Sequence, residues 1–275
     1  MKRIIISFCL IFFAFAAFAQ DKPRKKSERD EKKDARREKI SNLIRQQEEG
    51  AMVFNKQNVF GLRLNTDGWG LFFEKGYLKT VKTTTLFSLE IAEKKHPKEK
   101  KLNNLLNSNG FLQLGSPYVY GKKNSFYQLK PTFGQQRMIG GKTNKNGVAV
   151  YAVYAGGISV GLERPYYVQV PDNNSSNGTK AIKYSAADSS DFLTPGNIVM
   201  GTGLRYGWNQ LKIVPGAHAK LALRFDYGRF NEMVSGIEVG VNVEAYSRKV
   251  DIMLLNKNKQ VFTNAYIALL FGKRK

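Results

Sequence analysis

In 275 residues the chain has one cysteine, two histidines and eight prolines, and after its first twenty residues it has no long apolar run. Each shortage excludes something. Cys9 lies inside the N-terminal apolar stretch, so a chain that loses this stretch has no thiol for a disulfide or for thiolate chemistry. A helical span needs about 20 apolar residues, and no such stretch follows the leader. Beyond residue 50 no pattern matches a phosphate-binding loop, a dinucleotide fingerprint, a zinc spacing or a nucleophile elbow. No cofactor, no metal and no catalytic residue is therefore expected. Acidic residues are also few, 22 against 44 Lys and Arg, which leaves a formal charge of +22. Such a charge suits nucleic acid or an anionic membrane surface.

The N-terminus decides between these. Residues 1–20 read as a secretory signal: Lys2 and Arg3 give a positive start, residues 4–18 an apolar core, and Ala17-Phe18-Ala19 a small-x-small cleavage pattern before Gln20. An exported chain is expected to have no nucleic-acid partner. Residues 20–50 form a second segment, a charged periplasmic arm dense in both signs and nearly free of large apolar residues before Ile40. It cannot bury a core. Two readings stay open: a solvated tail or frayed helix laced by pairs such as Glu28–Lys32, or an arm that docks on a periplasmic or envelope protein. Ile40, Leu43 and Ile44 give its last turns one apolar stripe, and Gly50 is a stop signal.

From about residue 53 the texture changes to strict alternation, the mark of strands with two unlike faces. With 18 Phe, 13 Tyr and 25 Gly, this part is not a disordered composition. Ala219, Leu221, Leu223, Phe225 and Tyr227 alternate with His218, Lys220, Arg224 and Asp226; Ile237, Val239, Val241 and Val243 alternate with Glu238, Gly240, Asn242 and Glu244. Nine segments carry the signal: 60–65, 69–77, 83–92, 125–133, 147–162, 197–212, 217–229, 237–246 and 262–271. Several reach the ~9–11 residues that a tilted strand needs to cross a bilayer. A barrel with both ends on one side needs an even number, so eight to ten strands stay open, with 110–120 and 250–255 doubtful.

A soluble barrel hides its apolar face and a membrane barrel displays it. The polar positions Arg63, Glu74, Glu90, Lys130, Arg205, Lys220, Arg224, Asp226, Glu238 and Glu244 hold five charges of each sign, a set that suits a packed lumen. Trp69, Tyr77, Tyr118, Tyr120, Tyr166, Tyr167, Tyr206, Trp208 and Tyr246 are candidates for interfacial girdles. Short connections at 81–82, 142–146 and 214–216 alternate with long ones at 94–124 and 163–196, as in outer-membrane barrels. The fold class expected over 51–275 is thus all-β, an antiparallel transmembrane barrel of eight to ten strands in the cell outer membrane.

Four stretches also resemble a family of small outer-membrane β-barrel proteins of Bacteroidota. These are 60–76 with its Asn-Thr-Asp-Gly-Trp-Gly turn, 93–99, Tyr120-Gly-Lys-Lys-Asn-Ser-Phe-Tyr127, and 156–167 beginning Gly-Gly-Ile-Ser-Val-Gly. The likeness spans about 53–272 and implies the fold, with no assigned biochemical activity. One departure is the end of the chain, where Phe271 is followed by four residues rather than standing last as in the usual assembly signal.

For function, a non-enzymatic structural or accessory barrel of an envelope complex is the leading expectation. A narrow uptake barrel with the lumen charges as its path is the alternative. A lipid A-modifying enzyme built on His96, near Glu93 and Glu99, is the third. Lys94, Lys95, Lys98, Lys100 and Lys101 form a basic loop suited to lipopolysaccharide phosphates, which lysine binds as a point charge, or to plain solvation.

Overall fold

The computed structural model describes residues 32–34, 36–38, 55–80, 82–108, 111–141, 147–175, 178–228 and 233–275. The signal reading at 1–20 and the apolar stripe at 40–44 lie outside these residues. Of the arm, 32–34 and 36–38 are helical. Residues 1–51 and 52–275 are two separate units.

Alternation becomes architecture in the second unit. Eight long strands form: β1 Lys56–Asn65, β2 Gly68–Thr80, β3 Thr83–Lys94, β4 Asn124–Gly140, β5 Ala149–Pro165, β6 Lys212–Asp226, β7 Met233–Tyr246 and β8 Val261–Arg274. Each pairs antiparallel with its neighbour in sequence, and β8 returns to β1 with Phe60 opposite Phe271, so the sheet closes as an up-and-down barrel. Closure removes the unpaired edges that lipid could not satisfy. The start of β1, the end of β8 and the facing ends of β2 and β3, of β4 and β5, and of β6 and β7 lie at one rim. The turn Thr66–Asp67 and the connections 95–123, 166–211 and 247–260 lie at the other. Short turns face the periplasm in such barrels and long loops face outside.

Which face points where decides the environment. Outward residues at mid-strand are large and apolar, with Ile158 62 %, Leu221 59 % and Ile91 61 % exposed. Arg63, Glu74, Lys130, Lys220, Arg224 and Glu238 are buried in the lumen. No protein in water is stable with its hydrocarbon outside and its ions inside; in a bilayer the same arrangement satisfies both. The chain is a transmembrane barrel of the outer-membrane type.

Eight strands rather than nine exist because 197–212 is not a barrel strand. That segment belongs to the outer loop, where only Met200–Gly201 pairs, and β6 begins at Lys212 and runs straight through the expected turn at 214–216. Pro215 is tolerated there for a specific reason. Its carbonyl accepts the Ser247 N–H at 2.9 Å, so its own nitrogen points the same way, just beyond Tyr246 opposite Gly216, where β7 ends. Only the last bond of that ladder is forgone. The doubtful stretches are not barrel strands either: Leu105–Ser108 and Phe111–Leu114 make a small separate hairpin, and 250–255 contributes only a bridge at Met253.

Trp69, Tyr77, Tyr206 and Trp208 are exposed, and Tyr127 stacks on Trp208 at 5.6 Å near the outer rim. Tyr118, Tyr166 and Tyr246 are buried instead. Tyr246 points into the lumen by strand parity, and the other two belong to the packed outer loops. Tyr227, at the opposite rim from Trp69, joins Tyr77 there.

Candidate functional site

Strand parity sends one charged side chain after another into a narrow bore, and burial forces each to find a partner. At the centre, Arg224 donates to both oxygens of Glu74 at 2.7 and 2.9 Å, to Glu238 at 2.6 and 2.9 Å, and to the Gln136 amide oxygen at 3.0 Å. Glu238 also accepts from the Tyr266 hydroxyl at 2.7 Å and lies 3.6 Å from both Lys220 and Arg63. Arg63 pairs with Glu90, and its guanidinium carbon lies 4.3 Å from the Tyr266 ring centroid and 4.9 Å from that of Phe72. Gly61 makes room for that arrangement, since a Cβ there would meet the Phe72 ring at 2.3 Å.

Toward the outer rim, Lys130 bridges Glu90 and Glu244 at 2.9 and 3.1 Å, and Lys94 bridges Glu244 and Asp67 at 3.1 and 2.6 Å. The result is one chain of alternating sign: Asp67, Lys94, Glu244, Lys130, Glu90, Arg63, Glu238, Arg224, Glu74. Near the periplasmic rim Arg274 pairs with Asp226 at 2.5 Å. His218 lies in mid-barrel with its Nε2 2.9 Å from Thr132 Oγ1.

Above this network the bore is stoppered. Val119, Phe126, Val214, Tyr246, Val250, Ile252, Met253 and Phe262 form an apolar cluster in which the 247–260 connection meets the outer ends of the strands. A second cluster, Tyr118, Tyr166, Val168, Val170, Ile182, Phe192 and Ile198, gives the outer loops their own core around the sheet Thr179–Lys183, Tyr167–Pro171 and Met200–Gly201. In it the Tyr166 hydroxyl accepts the Val119 N–H at 3.0 Å, and burial pushes that phenol above its usual range.

Of the lumen residues expected from sequence, Arg63, Glu90, Lys130, Lys220, Arg224, Asp226, Glu238 and Glu244 are all inside, each buried. Arg205 is not: it is exposed in the outer loop, with its guanidinium 5.8 Å from the Tyr206 ring, because its segment is not a strand. Lys94 is corrected in the other direction. It is 3 % exposed and belongs to the lumen, because β3 continues to it and 90, 92 and 94 share one face. Lys94 replaces Arg205, so the five-to-five balance is kept. Lys98, Lys100 and Lys101 are exposed and Lys95 is half-buried. Asp67 and Arg274 were missed, although extending the parity of the 262–271 strand by three residues finds Arg274.

His96 does not meet a carboxylate through its ring. Its Nδ1 accepts the Lys98 N–H at 3.2 Å, while Glu99 accepts the His96 backbone N–H and pairs with Lys122; Glu93 accepts the Trp69 indole N–H. The imidazole caps a turn. Among the described residues no three His, Cys, Asp or Glu side chains gather as a metal site.

No family model and no curated protein matches this chain. Among solved structures it is similar to Ail, the attachment invasion locus protein of Yersinia pestis, in complex with the heparin analogue sucrose octasulfate. That match has 9 % identity, 81 % of this chain, all of that chain and a TM-score of 0.35. It is also similar to the N-terminal β-barrel domain of Pseudomonas aeruginosa OprF, at 9 % identity, 80 % and 98 % coverage and a TM-score of 0.32. At these values neither carries a ligand or a role over to this chain.

Proposed function

We propose that this protein is a non-enzymatic, non-conducting barrel of the outer membrane that serves as a structural or accessory subunit of an envelope complex. The observation that carries the reading is the closed lumen. The ion-pair chain from Asp67 to Glu74 crosses the bore with every charge engaged, and the apolar stopper around Ile252 and Phe262 covers its outer end. An eight-stranded barrel is just wide enough to be filled by its own side chains. In this reading residues 1–19 are the export signal, and 20–50 form a periplasmic arm that reaches an envelope partner. The surrounding lipid is the other partner. Lys75, Lys79, Lys82, Arg137 and Lys273 are exposed at or near the periplasmic rim, where no described carboxylate is exposed, and lipid phosphates suit such a rim. On the outer face Lys98, Lys100 and Lys101 suit lipopolysaccharide phosphates.

Conductance of the purified barrel in planar bilayers tests the closed lumen. The expected trace is flat at all voltages below the rupture of the film. A steady ohmic step would replace the structural reading with the uptake one.

A further inference from the structure

Between the outer loops and the rim lies a cleft of about 680 Å³ that the lumen network does not use. Its charged lining is Lys123, Glu163, Lys183, Lys212, Arg248 and Asp251. Three parts of the chain meet there: the ends of β4, β5 and β6, the 247–260 connection, and the loop sheet through Lys183. Four cations face two carboxylates, and both carboxylates are already engaged. Arg248 grips the buried Glu163 with two bonds at 2.7 and 3.2 Å, and Lys123 pairs with Asp251 at 2.8 Å. The other two cations are uncompensated. Among the described residues Lys183 has only the Gln210 amide oxygen, at 2.6 Å, and Lys212 makes no ion pair. Gln210, which lines the cleft, spends its oxygen on Lys183 and Tyr167, and its amide N–H groups make no hydrogen bond among the described residues.

We propose that this cleft binds a phosphorylated sugar. Lys183 and Lys212, backed by the outer face of Arg248, supply the charge for one phosphate group as mobile point charges. The Gln210 amide and the exposed half of the Lys123–Asp251 pair offer hydrogen bonds to hydroxyls. Tyr184, Pro165 and Leu211 supply the apolar wall against which a sugar ring lays its C–H face. A bare inorganic anion would use the lysines and leave that wall empty, and a neutral sugar would leave two cations unpaired. The same chemistry is available from a free sugar phosphate or from the phosphorylated sugars of a surface glycolipid. The site is independent of whether the lumen conducts.

The test is isothermal titration of the full-length barrel in detergent with glucose 6-phosphate and with glucose, on the wild type and on K183Q/K212Q. Neither substituted lysine holds a carboxylate, so the fold is expected to survive, and a heat-dependent gel shift checks this. A second arm titrates lipopolysaccharide and its dephosphorylated form into a K98Q/K100Q/K101Q background, with and without K183Q/K212Q, so that the exposed loop lysines do not contribute. A free sugar phosphate is the source if glucose 6-phosphate binds, glucose does not, and K183Q/K212Q weakens binding about tenfold or more, the loss of two charge-assisted contacts. A glycolipid is the source if only lipopolysaccharide binds, and binding is lost on dephosphorylation and weakened by K183Q/K212Q. The proposal falls if neither ligand binds, if glucose binds as well as its phosphate, or if K183Q/K212Q changes nothing.

Discussion

Replacing Arg224 by methionine removes the residue on which the central ion pairs converge. Arg224 is 2 % exposed and, among the described residues, supplies every hydrogen bond that Glu74 receives. Glu238 would still keep Tyr266, Lys220 and Arg63. The damage therefore falls on Glu74, a fully buried carboxylate left without a hydrogen-bond donor and with only the more distant charges of Lys220 and Arg63 to face it. Removing one member of a buried pair costs about 3–5 kcal/mol. Replacing Glu74 by glutamine in the same chain removes the stranded charge, and R224M/E74Q is expected to recover most of that loss. E74Q alone leaves Arg224 its two bonds to Glu238 and costs about 1.5–3 kcal/mol. The assay is urea unfolding of the barrel inserted in lipid vesicles, followed by the band shift between folded and unfolded forms on unboiled gels. An R224M barrel within about 1 kcal/mol of wild type, below the lower bound for a stranded charge, would refute the reasoning, since it would mean that water already reaches Glu74. A double variant no better than R224M would refute it as well.

The lipid face gives an independent check. Leu221→Arg places a charge at mid-strand on the outside and should cost about 2–4 kcal/mol in vesicles, whereas on a water-facing surface it would be neutral; the same urea titration reads it. Lys94→Met should lower stability by about 1.5–3 kcal/mol through Asp67 and Glu244 and leave lipopolysaccharide retention on a surface-plasmon chip unchanged, while K98Q/K100Q/K101Q should do the reverse. Gly61→Val drives a Cβ toward the Phe72 ring and the Leu269 carbonyl, 2.3 and 2.8 Å away. It should destabilise by about 1–3 kcal/mol, seen as a lower urea midpoint, and a wild-type midpoint would mean that the Phe72 ring is free to move.

Period-two alternation by itself determined the class of fold, because in a strand consecutive side chains have no choice but to face opposite ways. It placed Arg63, Glu90, Lys130, Lys220, Arg224, Asp226, Glu238 and Glu244 on one face, and the barrel closes around that face. Where alternation was read through segment ends, it failed. Lys94 looked like part of a basic loop because the four lysines that follow it hid the last step of β3. Arg205 looked lumenal because Asn197–Lys212 mimics a strand. Pro215 looked like a turn because its cost depends on whether a partner strand stands opposite its nitrogen, and only the register of β7 decides that. Pairing across the bore was not legible at all. Arg224 and Glu74 lie 150 residues apart, and they meet only because closing β8 onto β1 fixes the shear that sets opposite walls at the same height. The cleft at Lys183 and Lys212 is of the same kind, made by three connections that no local pattern joins. Sequence periodicity gives each residue a face, and the partner on that face is chosen by the tertiary structure.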